Sequence, residues 1–134
     1  MPIVLKEYGL VKAISDLLNK CFYKTGINYE FESFNIEERF NEDIELNIYR
    51  IAQELVGNIL KHSKAKNVNV QLLYNEGNLI LIFEDDGIGF IYNVHHAGLG
   101  LKNILSRTES INGHFHFEKG IDKGTVSFLR VKIS

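Results

Sequence analysis

The sequence predicts an α+β two-layer sandwich with a mixed sheet, and three patterns carry that prediction. Long apolar stretches recur at helical spacing, shorter ones alternate with polar residues, and glycine-containing turns join several of the short ones. The helical and alternating stretches are interleaved along the chain, so helices separated by strand pairs are expected to cover one side of a sheet.

Taken in order, Leu10, Ile14, Leu17, Leu18, Cys21 and Phe22 fall on one helical face that stops near Gly26, a glycine C-cap. Ile27, Tyr29 and Phe31 then alternate with Asn28, Glu30 and Glu32, as a half-buried strand should. A helix is expected from about Asp43 to Ser63. Val68, Val70 and Leu72 lead into the turn Asn75-Glu76-Gly77-Asn78, and Leu79–Phe83 resume beyond it as the second arm of a hairpin. Residues Asp85–Gly100 hold Gly87, Gly89, Gly98 and Gly100 with little apolar periodicity, which suggests a functional loop. Leu101, Ile104, Leu105, Thr108 and Ile111 define the inward face of a further helix ended by Gly113, making about three helices. Strands His114–Glu118 and Thr125–Ile133 close the chain around the Gly120–Gly124 turn.

With 134 residues, 45% of them hydrophobic and including nine Phe and six Tyr, the chain can fill the core of one domain. The formal charge of −2 and the scattered Lys and Arg residues argue against a nucleic-acid partner. A lone Cys21 excludes an intrachain disulfide and reads as core packing. No signal sequence or long apolar run is present, so the piece is expected to be soluble and cytoplasmic, compatible with being cut from an inner-membrane sensor protein.

Within the long helix, Glu54, Asn58, Lys61 and His62 lie at offsets 0, 4, 7 and 8 and share one arc at about 100° of turn per residue. Ile48, Ile51, Leu55 and Ile59 share a neighbouring arc that reads as core. By themselves Glu54 and Lys61 would read as a solvated face, and His62 as a cation suited to a helix end. Beyond the helix lie two glycine clusters, Asp85-Asp86-Gly87-Ile88-Gly89-Phe90 and Gly98-Leu99-Gly100-Leu101. Glycine lets a backbone approach a ligand closely, and a carboxylate at a strand end can accept from an exocyclic amine. The second cluster opens a helix whose free N–H groups suit phosphate oxygens. Asn58 offers a hard oxygen for Mg²⁺. Nucleotide chemistry is the economical reading. His114 and His116 share a strand face but have no third ligand, so they read as surface residues.

The order Asn58, Asp85-x-Gly87-x-Gly89, Gly98-x-Gly100 and Gly124-Thr125 resembles the N, G1 and G2 boxes of sensor histidine kinase ATP-binding domains. That superfamily also includes DNA gyrase, MutL and a heat-shock chaperone. Tyr49-Arg50-Ile51-Ala52-Gln53-Glu54, Lys61-His62-Ser63 and Gly98-Leu99-Gly100-Leu101-Lys102-Asn103-Ile104-x-x-Arg107 resemble the branch of nitrate-responsive and membrane-fluidity-sensing kinases. Tyr8-Gly9-Leu10 is similar to the start of that domain.

The resemblance implies a Bergerat-type ATP-binding fold and assigns roles. Asn58 would bind Mg²⁺, Asp85 would recognise the adenine amino group, and Gly87 and Gly89 would pass close to the base. Gly98, Gly100 and Leu101 would start a helix against the phosphates, with Lys61 or His62 adding positive charge. Thr125 would sit near adenine, and Glu54 would have a polarising or metal-orienting role. Ile91–Ala97, with His95-His96, would be a short lid. Asp86 stands where Asn is common and would face away from the recognition carboxylate without harming binding; Gly57, mid-helix, would be explained by close approach of a strand or nucleotide, or has no functional reason.

None of the five His residues sits in a phosphoacceptor motif. The resemblance therefore implies a single Mg²⁺-ATP-binding catalytic domain of a protein histidine kinase over residues 1–134, without its dimerisation and phosphoacceptor domain, so that the isolated piece is expected to be inactive in autophosphorylation. The missing segment would make the full-length protein a homodimer and supply the histidine, and a response regulator would take the phosphoryl group. An anti-sigma-factor serine kinase and a degenerate interaction module share the boxes and remain as alternatives.

Overall fold

The computed structural model describes residues 1–89 and 100–133, so Gly98 and the expected lid Ile91–Ala97 lie outside the described residues. Five strands form one mixed sheet: β1 Asn28–Phe34, β2 Asn67–Asn75, β3 Asn78–Asp85, β4 Gly113–Lys119 and β5 Thr125–Lys132. Their spatial order is β1-β2-β3-β5-β4, with β1 and β2 parallel and all other neighbours antiparallel. Helices α2 Leu10–Phe22, α3 Glu42–Asn58 and α4 Leu101–Ser110 supply the second layer. A short additional helix, α1 Ile3–Tyr8, precedes them; six residues with one buried side chain, Leu5, give too little periodicity to be seen in the sequence.

The core lies between the layers. Alternation along β2 and β3 sends Val68, Val70, Leu72, Leu79, Leu81 and Phe83 toward the helices, where Ile14, Leu18, Ile48, Ile51, Leu55 and Ile104 meet them. In α4 the structure corrects one inward assignment: Ile104, Thr108 and Ile111 are buried, but Leu105 is 47% exposed. The β2–β3 hairpin turns on Glu76 and Gly77, both with positive φ, between the paired Asn75 and Asn78. That is the backbone required for a two-residue turn matching strand twist. Cys21 is half-buried against the core, and burial pushes its thiol pKa up.

α3 begins where the Asn41 side chain accepts from the Asp43 backbone N–H, with Glu42, Asp43 and Glu45 favourably placed in the first turn. Glu45 is buried and accepts from Arg39 Nε, Arg39 Nη2 and the Phe40 backbone N–H. Arg39 in turn donates to the carbonyls of Leu5 and Lys6 at the end of α1. This polar latch seats α1 on α3. No described helix is long and apolar enough to cross a membrane.

At its other end α3 does not run regularly to Ser63. After Asn58 it passes into one π-helical turn, Ile59–Ser63, and stops at Lys64 in the left-handed region. The Ser63 hydroxyl donates to the Ile59 carbonyl and accepts from the Ala65 N–H, which closes the turn. A π turn widens the spiral, so the arc projected from Glu54 and Asn58 does not carry unchanged to Lys61 and His62. Both are exposed, whereas Asn58 is buried. At Gly57 a Cβ would meet nothing within 4 Å among the described residues, so no strand approaches it there.

Candidate functional site

The sheet's helix-facing side changes character along β3 and β5. The paired rows run from Leu81 and Leu129, through Phe83 and Ser127, to Asp85 and Thr125. Ser127, Asp85 and Thr125 are all buried, so the apolar interface ends in a polar floor. Asn58, 4% exposed, is the last residue of α3, and the π turn after it reaches this floor through Ser63. The Ser63 carbonyl accepts from the Ile88 N–H at 2.6 Å, and a Cβ on Gly87 would fall on that same carbonyl oxygen. Only a hydrogen side chain lets β3's end and α3's end meet this closely.

Asp85 is 5% exposed and accepts from the Gly87 backbone N–H at 2.9 Å, with a second backbone bond from Thr125. Burial pushes its carboxyl pKa above the usual aspartate value, and the charges of Asp86 and Glu84 add to the rise, while the two backbone bonds oppose it. A carboxylate held by backbone N–H groups at the end of a strand is an oriented acceptor. It suits an exocyclic amine.

Asp86 faces elsewhere. Its carboxylate accepts from the backbone N–H groups of Lys66 and Asn67 and from Asn67 Nδ2, at 2.8 to 2.9 Å. These bonds, the Asn67 ones foremost, lower its pKa to about 2. The folded value lies below the unfolded one, so the stabilisation is complete above the ordinary aspartate range and is lost as pH falls toward 2. Asp86→Ala is expected to cost about 1 kcal/mol at pH 6, because the strand-end N–H groups exchange a charged acceptor for water. The gap between parent and variant should narrow at pH 3; urea unfolding at the two pH values checks it, and a constant gap would contradict the assignment.

The loop before β5 completes the wall behind Asp85. Gly124 has φ +82°, and a Cβ there would fall on the Asp85 carbonyl oxygen; Gly89, φ +78°, packs against the Gly124 carbonyl. Across the site, Gly100 caps α4 with φ +79°, and a Cβ on it would fall against the Glu54 carboxylate. Glu54 Oε1 accepts from Asn103 Nδ2 at 3.1 Å. Leu101 is half-buried as the first residue of α4.

The structure thus gathers Glu54, Asn58, Asp85, Gly87, Gly89, Gly100, Leu101 and Thr125 around the ends of α3, β3, β5 and α4. It leaves Lys61 and His62 on the exposed π turn, and Gly98 lies outside the described residues. Ser63, Gly124 and Asn103 enter as positions not among the expected site residues. Each had a signal: Ser63 follows Lys61-His62, Gly124 precedes Thr125, and Asn103 lies in the glycine-led helix start. A cavity of about 550 Å³ opens beside this region, lined by Asn28, Glu30, Asn69, Glu84, Asp122 and Lys123. It reaches Asp85 and Asp86 but not Asn58, Gly87 or Gly100. His114 and His116 are exposed, His116 stacking on Phe128 at 4.9 Å, and no group of three metal ligands occurs among the described residues.

Residues 43–134 match the family model described as histidine kinase-, DNA gyrase B- and HSP90-like ATPase. The chain is 30% identical to the sensor histidine kinase ComP of Bacillus subtilis over 98% of its own length and 18% of that protein's. It is 32% identical to the oxygen sensor histidine kinase NreB of Staphylococcus carnosus over 99% of its length and 39% of that protein's. The chain therefore spans well under half of either relative. Among solved structures, the catalytic domain of histidine kinase ThkA superposes with a TM-score of 0.74 at 17% identity, covering 92% of this chain and 90% of that one. The blue-light activated histidine kinase of Erythrobacter litoralis gives 0.75 at 16% identity, covering 92% and 44%. The sandwich architecture and the match over residues 43–134 agree: the chain belongs to the histidine kinase-, DNA gyrase B- and HSP90-like ATPase family.

Proposed function

We propose that the chain is the Mg²⁺-ATP-binding catalytic domain of a two-component sensor histidine kinase. The observation that supports this most is Asp85, buried at the end of β3 and held by two backbone N–H groups, with Gly87 and Gly124 packed close against the backbone around it. The sensor-kinase names of ComP and NreB favour this reading over an anti-sigma-factor kinase. The phosphoacceptor histidine, the dimerisation domain that carries it, the homodimer and the response regulator belong to the same proposal.

The residues present fit the ligand. Asp85 would accept from the adenine amino group beside Thr125, the Gly87–Gly89 backbone would pass the base, and the N-terminus of α4 would face phosphate oxygens. Buried Asn58 would give Mg²⁺ one oxygen ligand, suiting an ion that takes most of its ligands from phosphates and water. Lys61 and His62, exposed at the π turn, would add positive charge at the rim. When bound, Mg²⁺-ATP supplies the γ-phosphoryl group, and the protein's part is positioning and charge neutralisation.

Titration of the chain with ATP and ADP, with and without Mg²⁺, tests the proposal. Binding strengthened by Mg²⁺ is expected, and no measurable binding would overturn it. Asn58→Ala should weaken the Mg²⁺-dependent part of ATP binding by about tenfold, a loss of about 1.4 kcal/mol. Equal metal dependence in variant and parent would remove Asn58 from the metal site.

A further inference from the structure

We infer that Glu54 is a positioning residue that, through Asn103, fixes the first turn of α4 where phosphates would bind. The inference rests on the ATP-binding reading and deepens it. Two separate contacts carry it. Asn103 is the third residue of α4, and its side-chain amide donates to Glu54 Oε1. The same carboxylate occupies the space a Cβ on Gly100 would need, so it lies directly against the backbone that caps α4.

The consequence is mechanical. Glu54 stands one turn before Asn58 on α3, so a single side chain ties the helix carrying the proposed metal ligand to the start of the helix facing the phosphates. The first N–H groups of a helix have no partner within it, and the first turn frays unless something holds it. A carboxylate there is also favoured by the helix dipole. Glu54 contributes by holding those donors in place before nucleotide arrives, which reduces the ordering cost of binding. This assigns its oxygens to α4 in place of a polarising or metal-orienting task.

A second polar tie between the same helices provides the control. Arg107 Nη1 donates to Asn47 Oδ1 at 3.3 Å, seven residues earlier on α3 and one turn later on α4. It joins the helices at a distance from the recess. If the Glu54 contact only packs two helices together, loss of either tie should have the same effect.

The test is nucleotide titration of the parent chain and of Glu54→Ala, Glu54→Gln, Asn103→Ala, the Glu54→Ala/Asn103→Ala double variant and Asn47→Ala. Glu54→Ala and Asn103→Ala are each expected to raise the ATP Kd about tenfold, and the double variant no further, because both remove one shared contact. Glu54→Gln should recover most of the loss, since its amide oxygen still accepts from Asn103. The loss should be larger for ATP than for adenosine, and Asn47→Ala should bind ATP like the parent. Additive single effects, a Gln variant as impaired as the Ala variant, equal losses for ATP and adenosine, or an Asn47→Ala loss equal to that of Glu54→Ala would each overturn the positioning role. Failure of the parent to bind ATP would instead overturn the ATP-binding reading.

Discussion

Asp85→Asn is expected to lower ATP affinity about 100-fold, equivalent to about 2.7 kcal/mol, while leaving the fold intact. The reason lies in where the donors are. Backbone N–H groups of Gly87 and Thr125 already point at the carboxylate, and the exocyclic amine of a bound adenine would approach it as a further donor. A carboxylate accepts from all of them, but an amide has one oxygen and one NH₂ group. Whichever way the substituted amide flips, a donor faces a donor. Isothermal titration of parent and variant, with far-UV spectra as a fold control, measures the loss; near-parental affinity would remove Asp85 from base recognition.

The same geometry predicts a pH dependence. Because burial raises the Asp85 pKa, the carboxyl takes up its proton at a higher pH than an ordinary aspartate would. Protonation turns one acceptor into a donor, so ATP affinity should begin to fall above the usual aspartate range. The fold does not fail for this reason in that window. A raised folded-state pKa means that this group's contribution to stability grows as pH falls. Affinity and stability are therefore expected to move in opposite directions through Asp85, and Asp85→Asn should remove that component of the affinity profile.

Gly87→Ala is expected to impair both stability and nucleotide binding. Its methyl group would fall on the Ser63 carbonyl oxygen and lie 2.7 Å from the Ser63 carbonyl carbon, and backbone cannot rotate away as a flexible side chain can. Either the end of β3 or the π turn must shift. The first movement breaks the Ile88 to Ser63 bond and the Gly87 to Asp85 bond, and the second displaces the segment that follows Asn58. Overpacking of this kind costs about 1–3 kcal/mol, and the misplaced carboxylate should raise the ATP Kd by at least about tenfold. Urea denaturation and nucleotide titration give the two readouts; parental values in both would show that the close approach is not needed.

Much of the framework was legible because it obeys local rules. Alternation in Val68–Leu72 and Leu79–Phe83 marks strands with one buried face, and Glu76-Gly77 supplies the turn between them. The helical stripes of α2 and α3 locate the second layer for the same reason, since periodicity records which side of an element leaves water. Asn58, Asp85 and the box glycines were legible as an ordered set, although no one of them is informative alone. The short α1 escaped because Leu5 is its one buried residue. Leu105 misled because an apolar side chain at helical spacing is permitted on a surface.

The sequence by itself determined the α+β class, the strand and helix order, the family resemblance and the order of the box residues along the chain. Those follow from periodicity, turn chemistry and motif order, all of which act over a few neighbours. Tertiary structure alone decided that Asn58 ends in a π turn, that Ser63 meets Gly87, that Gly124 backs Asp85 and that Glu54 grips Asn103. The last three contacts join residues 24 to 49 positions apart, and they depend on which backbone approaches which, at distances set by the packed sheet and helices.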